Sequence, residues 1–280
     1  MRAMADTAKG TRERLTLGEA AKELGWFPLL YAQIVGGPSV LSLLEMTFDD
    51  FRLIAILQWI VDGYNRITAV MARMIEPLFT PAIDWTNVQF GWQLMLNPHW
   101  RPLFLLTMVL ITSLVRTAML DGKGSRAVIG GVGAGVGALL GSILAGLVPT
   151  NISWTTQGFI AVLPLAGTVF FLSLLRSFAD LARGNLHTLI KTFISTPLLI
   201  VLLSYICGGL IATLNSVSVS TSGTGVLGFA SLVLCIGIGS LFFGFAKSAR
   251  FGVLLGLSIL GGYITAGLII SVDAVVKSLS

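Results

Sequence analysis

AVIGGVGAGVGALLG, residues 127–141, decides the fold. A short apolar run enters a glycine-rich stretch in which Gly133, Gly135 and Ala138 fit the G-x-G-x-x-G/A spacing of a phosphate cradle. A dinucleotide site also needs a strand before the turn and an acidic residue about 20 positions beyond it to hold the ribose. No Asp or Glu lies between Asp121 and Asp180, and the apolar run continues unbroken to Val148. The stretch therefore reads as a membrane-spanning helix. Gly133, Gly137 and Gly141 recur every fourth residue, with Ala134, Ala138, Ser142 and Ala145 beside them. Lipid gives apolar surfaces little drive to associate, so faces of small residues that let backbones approach are what hold spans together. Gly252 and Gly256 repeat the spacing near the C-terminus. These five glycines are the helix-packing or pore-interface candidates.

Gly131, Gly133, Gly135 and Gly137 also form G-x-G-x-G-x-G, which resembles the inner helix of rotary-ATPase ring subunits. In that family the next helix carries an ion-binding carboxylate in mid-membrane. Here the next span, GFIAVLPLAGTVFFLSLL at 158–175, has none, so the resemblance concerns close packing and not proton translocation.

The rest of the chain agrees with a membrane class. Of 280 residues 55% are hydrophobic and 11% charged, with a mean hydropathy of +0.88, whereas soluble domains carry about 25% charged residues. No charge falls within 127–175 or 192–246, and a soluble surface could not be clothed by such stretches. A spanning helix needs about 20 apolar residues, and six stretches qualify clearly: 102–120, 127–148, 158–175, 193–214, 225–246 and 251–272. Cys207 and Cys235 fall inside two of them and read as reduced residues packed in helices.

Charge sorts the connections. Arg116, Lys123 and Arg126, then Arg176, Arg183 and Lys191, then Lys247 and Arg250 mark one side. The alternate loops, PTNISWTTQ from Pro149 and NSVSVSTSGT from Asn215, hold no charge. The positive-inside rule makes the first set cytoplasmic. Residues 26–44, WFPLLYAQIVGGPSVLSLL, then read as a seventh, N-terminal span behind a cytoplasmic segment 1–25, although Pro28 and Gly36-Gly37-Pro38 would interrupt a helix. A re-entrant or surface segment is the alternative. LTLGEAAKELG, from Leu15, has a Thr16–Glu19 capping box and reads as a short helix, with no recognition helix after it.

Residues 45–100 fall outside on this topology. Within them 48–78 is amphipathic, with Thr47 and Asp50 as an N-terminal box and Pro77 as the end. Leu53, Leu57, Ile60, Tyr64, Ile67, Met71, Met74 and Leu78 form the apolar stripe, and Gln58, Asp62, Asn65, Arg66, Arg73 and Glu76 the opposite face. So broad a stripe suits a helix on the bilayer surface or against the bundle, with oligomerisation as the alternative. All six tryptophans lie outside the six clear spans. Trp85, Trp92, Trp100 and Trp154 cluster on the external side as interface anchors, since indole prefers the headgroup level. On the cytoplasmic side Arg176, Arg183 and Lys191, with His187, read as contacts to lipid headgroups.

The fold class is accordingly all-α: a polytopic integral membrane helix bundle at 101–280, with six clear spans, the N-terminal seventh and an external amphipathic helix. No charged residue sits in mid-span, which argues against proton relays and carboxylate-bound cation sites. Any conduit would be lined by hydroxyls such as Thr168, Ser173, Ser204, Tyr205, Ser240, Ser258, Tyr263 and Thr265, with helix breaks expected at Pro164–Gly167 and Gly208-Gly209. There is no H-E-x-x-H or G-x-S-x-G, and His99 and His187 stand apart. The chain thus reads as non-enzymatic, without cofactor or metal and without a basic stripe for nucleic acid. Membrane lipids are expected partners, with copies of itself or other membrane subunits. The expected function is an oligomeric channel or permease-like subunit for neutral or weakly selected solutes, located in a plasma or inner membrane with a cytoplasmic N-terminus. The alternative is a structural or assembly subunit that docks through the external amphipathic segment.

Overall fold

The computed structural model describes residues 17–48, 51–120, 122, 124–147, 154–181, 190, 194–198, 201–202, 224–247 and 250–279. Among these residues every regular element is helical. A short α1 (Leu17–Leu24) precedes a rod made of α2 (Trp26–Tyr31), a π-helical turn (Ala32–Gly36) and α3 (Gly37–Thr47). Then follow α4 (Ala55–Phe90), α5 (Trp100–Leu120), α6 (Gly124–Leu147), α7 (Trp154–Leu181), α8 (Thr224–Lys247) and α9 (Arg250–Leu279).

Five helical stretches are long and apolar enough to cross a bilayer: Trp26–Met46, Trp100–Leu120, Gly124–Leu147, Gly228–Phe245 and Gly252–Leu279. α7 adds a shorter apolar stretch, Val162–Ser177. Composition and these helices make the chain an integral membrane protein. Most of the stretch expected to span at 193–214 lies outside the described residues, as do Thr16, Asp50, Cys207 and Gly208-Gly209.

The N-terminal rod shows how a helix survives Pro28 and Gly36-Gly37-Pro38. Pro28 occupies the first turn of α2, where a missing N–H costs nothing. The π-turn takes up the second interruption, a single turn within an α-helix being the form in which the rare π-helix mostly occurs. Beyond it, the Ser39 hydroxyl bonds the Val35 carbonyl at 2.6 Å. Likewise α7 runs through Pro164 without the expected break, and the Thr168 hydroxyl reaches the Pro164 carbonyl at 2.9 Å.

α4 departs most from expectation. It starts at Ala55, not 48, and Thr47 belongs to the end of α3. It also runs past Pro77 and Pro81 to Phe90, where Gly91 ends it in the left-handed region at φ 66°. A proline deprives the carbonyl four residues earlier of its donor. Here those carbonyls belong to Arg73 and Pro77, both exposed, so neither is stranded in an apolar interior. At 36 residues α4 is about 54 Å long.

One hydrophobic core joins the N-terminal rod to the later helices. Val40, Leu41 and Leu43 of α3 pack with Leu103 and Leu106 of α5, Phe229 and Val233 of α8, and Leu255 and Ile259 of α9. Leu53 and Val61 bring α4 and its approach into the same core.

Candidate functional site

Two features stand out: seams where backbones touch through glycine, and the long helix α4.

The deepest seam lies between α6 and α7. Gly137 and Gly167 face each other, so that a methyl group on either would enter the other's carbonyl group. Gly141 meets the backbone of Leu163 and Pro164 in the same way, and Gly133 faces the end of the Leu175 side chain. The alternating glycines of α6 serve two neighbours, because residues two apart point to nearly opposite sides of a helix. Gly133 and Gly137 meet α7, whereas Gly131 lies against Val115 and Gly135 near Met108 of α5. Gly252 and Gly256 form a second seam: a methyl on Gly252 would sit 2.5 Å from the Ser240 carbonyl oxygen, and one on Gly256 2.9 Å from that of Gly237. The third seam uses the interruption in the N-terminal rod. Gly262 of α9 lies against Gly36, where a methyl would be 3.2 Å from the Gly36 Cα and 2.9 Å from the Ala32 carbonyl oxygen. All five glycine candidates thus lie in contacts within this chain.

α4 is tied to α3, α5 and α9 by named side chains. Its first turn is capped from afar, as the Ile54 N–H donates to the Asp273 carboxylate of α9 at 2.5 Å. Lys277 pairs with Asp273 at 2.7 Å and donates to the Arg52 carbonyl. Gln58 donates to Glu45 at 2.8 Å, Ser42 to Asn65 at 3.1 Å, and Ser39 shares a hydrogen bond with Tyr64 at 2.6 Å, tying α4 to α3. Burial pushes the Tyr64 phenol far above its ordinary pKa, so it stays neutral. Farther along, Glu76 accepts from Arg101 at 3.0 Å and from the Trp100 indole N–H at 3.3 Å. Ala72, Ile75 and Phe79 pack there with Trp100, Ile143 and Leu147. α4 therefore touches α3 along its length, from Ser39 to Glu45, together with the C-terminal parts of α6 and α9 and the start of α5.

Three sectors follow. Leu57, Val61, Tyr64, Thr68, Ala72 and Ile75 face the bundle. Asp62, Arg66 and Arg73 form a polar edge. The third sector is apolar and open: Ile56, Ile67, Met74 and Leu78 are each more than 70% exposed, and Trp59, Val70, Trp85 and Val88 extend it along the helix. The sequence merged the first and third sectors into one stripe.

The tryptophans divide. Trp85 and Trp92 are exposed, but Trp100 is fully buried with its N–H on Glu76, so it is a packing residue and not an anchor. Trp154 begins α7, and its side chain lies outside what the structure describes. Arg176 is exposed near the end of α7, while Arg183 and Lys191 lie outside the described residues. His99, expected at the interface, is largely buried with Nδ1 3.1 Å from the Met46 sulfur, and desolvation lowers its pKa. Cys235 is exposed on α8 instead of packed. Sequence reasoning missed Asp273, whose only signal was a lone Asp-x-x-x-Lys near the end of an apolar helix.

Of the hydroxyls offered for a conduit, four are engaged, Ser258 is buried with no hydrogen-bond partner, and Ser204 and Tyr205 lie outside the described residues. Thr168 and Thr265 bond carbonyls of their own helices, at Pro164 and Gly261, Tyr263 bonds the Ala230 carbonyl, and Ser173 meets Thr196. No family model matches the chain, and no curated protein or solved structure matches it in sequence or fold.

Proposed function

We propose that the chain is a non-enzymatic, polytopic subunit of a plasma or inner membrane that assembles with another membrane protein through the open face of α4. The second apolar sector of that helix carries the reading. Large contiguous apolar patches on a folded surface mark interaction sites, and this one keeps steps of three and four residues from Ile67 through Val70 and Met74 to Leu78, as a helix that packs on a partner helix does. The use of Thr168, Tyr263 and Thr265 by backbone carbonyls supports assembly over solute passage.

On this reading the chain crosses the membrane seven times, through the N-terminal rod, α5, α6, α7, the segment at 193–214, α8 and α9. Arg116, Arg126 and Arg176 at one end support a cytoplasmic N-terminus, with α4 external. Single cysteines at Asp62 and Arg126 should then label from opposite sides of the membrane.

A photo-crosslinking residue at Ile67 or Met74, introduced in native membranes, should give one discrete protein adduct whose mass tells a second copy from a different subunit. Ile67→Asp with Met74→Asp should abolish assembly while leaving the monomer folded. The absence of a protein adduct at both positions, with an unchanged particle mass in the double variant, would refute the reading. Solute flux through the pure chain in liposomes would instead favour a channel.

A further inference from the structure

An open cavity of about 590 Å³ runs between α2, α5 and α6. Its floor is Ile111 and Met108 of α5, and its walls include Phe27, Val132 and Gly135. The single charged residue on its lining is Arg116. We infer that this groove holds one membrane phospholipid, with an acyl chain along Met108, Ile111 and Val132 and the phosphate on Arg116.

Three observations carry the assignment. Val132 and Phe27 are about 60% exposed, so the groove opens onto the flank of helices that cross the bilayer. Its length fits one leaflet. From Arg116 to Met108 is eight residues, about 12 Å along α5, against a leaflet hydrocarbon depth of about 15 Å. Its charge lies at the correct end, because Arg116 is four residues before the end of α5, on the side where α6 begins. A guanidinium fits a phosphate through paired N–H donors and keeps its charge in a half-apolar site. Arg116 is held in place there. Its Nη2 donates to the Glu23 carbonyl at 3.3 Å, and Gly25, at φ 83°, brings the chain across the guanidinium with no side chain in the way. Trp26 beside it is 74% exposed and belongs at the headgroup level. This occupant does not depend on the role assigned to α4.

The test is the full-length chain in phosphatidylglycerol vesicles with a trace of a phospholipid carrying a diazirine in its acyl chain. After irradiation, peptide mapping should find label on Met108, Ile111 and Val132 severalfold above that on Phe242 and Phe243, exposed apolar residues of α8. Gly135→Leu fills the groove, since its Cβ would meet only the Met108 side chain, at 3.6 Å. It should bring the labelling down to the α8 level. Gly267→Leu, where nothing lies within 4 Å of the new Cβ, should leave it unchanged. Arg116→Gln should lower it partially. Even labelling of α5, α6 and α8 in the unaltered chain would overturn the assignment whether or not any variant folds. So would labelling that Gly135→Leu leaves intact.

Discussion

Substituting Gly137 by Ala sets two effects of opposite sign against each other. Glycine in a helix interior is disfavoured relative to alanine by about 1 kcal/mol, and the new methyl recovers that. At Gly137, however, the methyl would lie 2.7 Å from the Gly167 carbonyl carbon, closer still to its oxygen, and 3.0 Å from the Phe171 Cβ. The obstructing atoms are mostly backbone, so relief requires α6 and α7 to separate by about 1 Å. A gap of that size forfeits up to half of each dispersion contact. For about twenty atom pairs at about 0.15 kcal/mol each, the loss is about 1.5 kcal/mol, and residual strain brings it to about 2–3 kcal/mol, within the usual cost of overpacking.

Gly137→Ala should therefore destabilise by about 1–2 kcal/mol net. Gly239→Ala is the comparison. It lies in α8 with nothing within 4 Å of a new Cβ, so only the favourable effect acts and stability rises by up to about 1 kcal/mol. Reversible unfolding in mixed micelles of dodecyl sulfate and a mild detergent, followed by circular dichroism, separates the two. Equal shifts of the same sign would refute the reasoning, because the helix preference alone would then account for both. Gly137→Leu should go further and leave no cooperative transition.

Three further outcomes follow from the contacts of α4. Glu76→Leu strands the buried Trp100 N–H, at about 1–3 kcal/mol, whereas Glu76→Gln keeps an acceptor and loses only a partly exposed ion pair, at most about 1 kcal/mol; thermal unfolding of the two side by side checks the difference. Tyr64→Phe removes the Ser39 hydrogen bond and should cost about 1 kcal/mol in the same measurement. Burial holds the His99 pKa below its ordinary value, so the unfolded chain takes up the proton first as pH falls. The stabilisation is whole above about pH 6.5 and is lost as pH drops through the folded-state value. Unfolding at about pH 7.5 and pH 5 should show a decline that His99→Gln lessens, and parallel declines would refute the assignment.

The membrane class was legible because lipid forbids charge, and charge-free runs as long as 127–175 have few other uses. Gly133, Gly137 and Gly141 were legible as a small-residue face because α-helical spacing alone groups them. Their neighbours were not, since the meeting of Gly137 with Gly167 depends on the register between two helices. Gly36 and Gly37 were legible as an interruption, which the π-helical turn bears out, but not as a packing contact, for a related reason. Locally they weaken a helix, and the close approach of Gly262 and Thr265, over 200 residues away, gives them a use.

The amphipathic stripe failed in a more specific way. At about 100° per residue, the bundle-facing residues Leu57, Val61, Thr68 and Ala72 centre roughly 120° away from the outward residues Ile56, Ile67, Met74 and Leu78. Leu53, Leu57, Ile60, Tyr64, Ile67, Met71, Met74 and Leu78 run along the midline between the two sectors. Two apolar faces of unlike use therefore add up to one broad stripe, and periodicity cannot divide it. The polar residues can. Gln58, Asn65 and Glu76 bond to the bundle while Asp62, Arg66 and Arg73 stay in the open, so the uncharged or paired members mark the edge that turns inward. Once that edge is placed on α3 and α5, the buried face must be the sector next to it. The sector on the far side, with Ile67 and Met74, is left facing whatever covers the bundle.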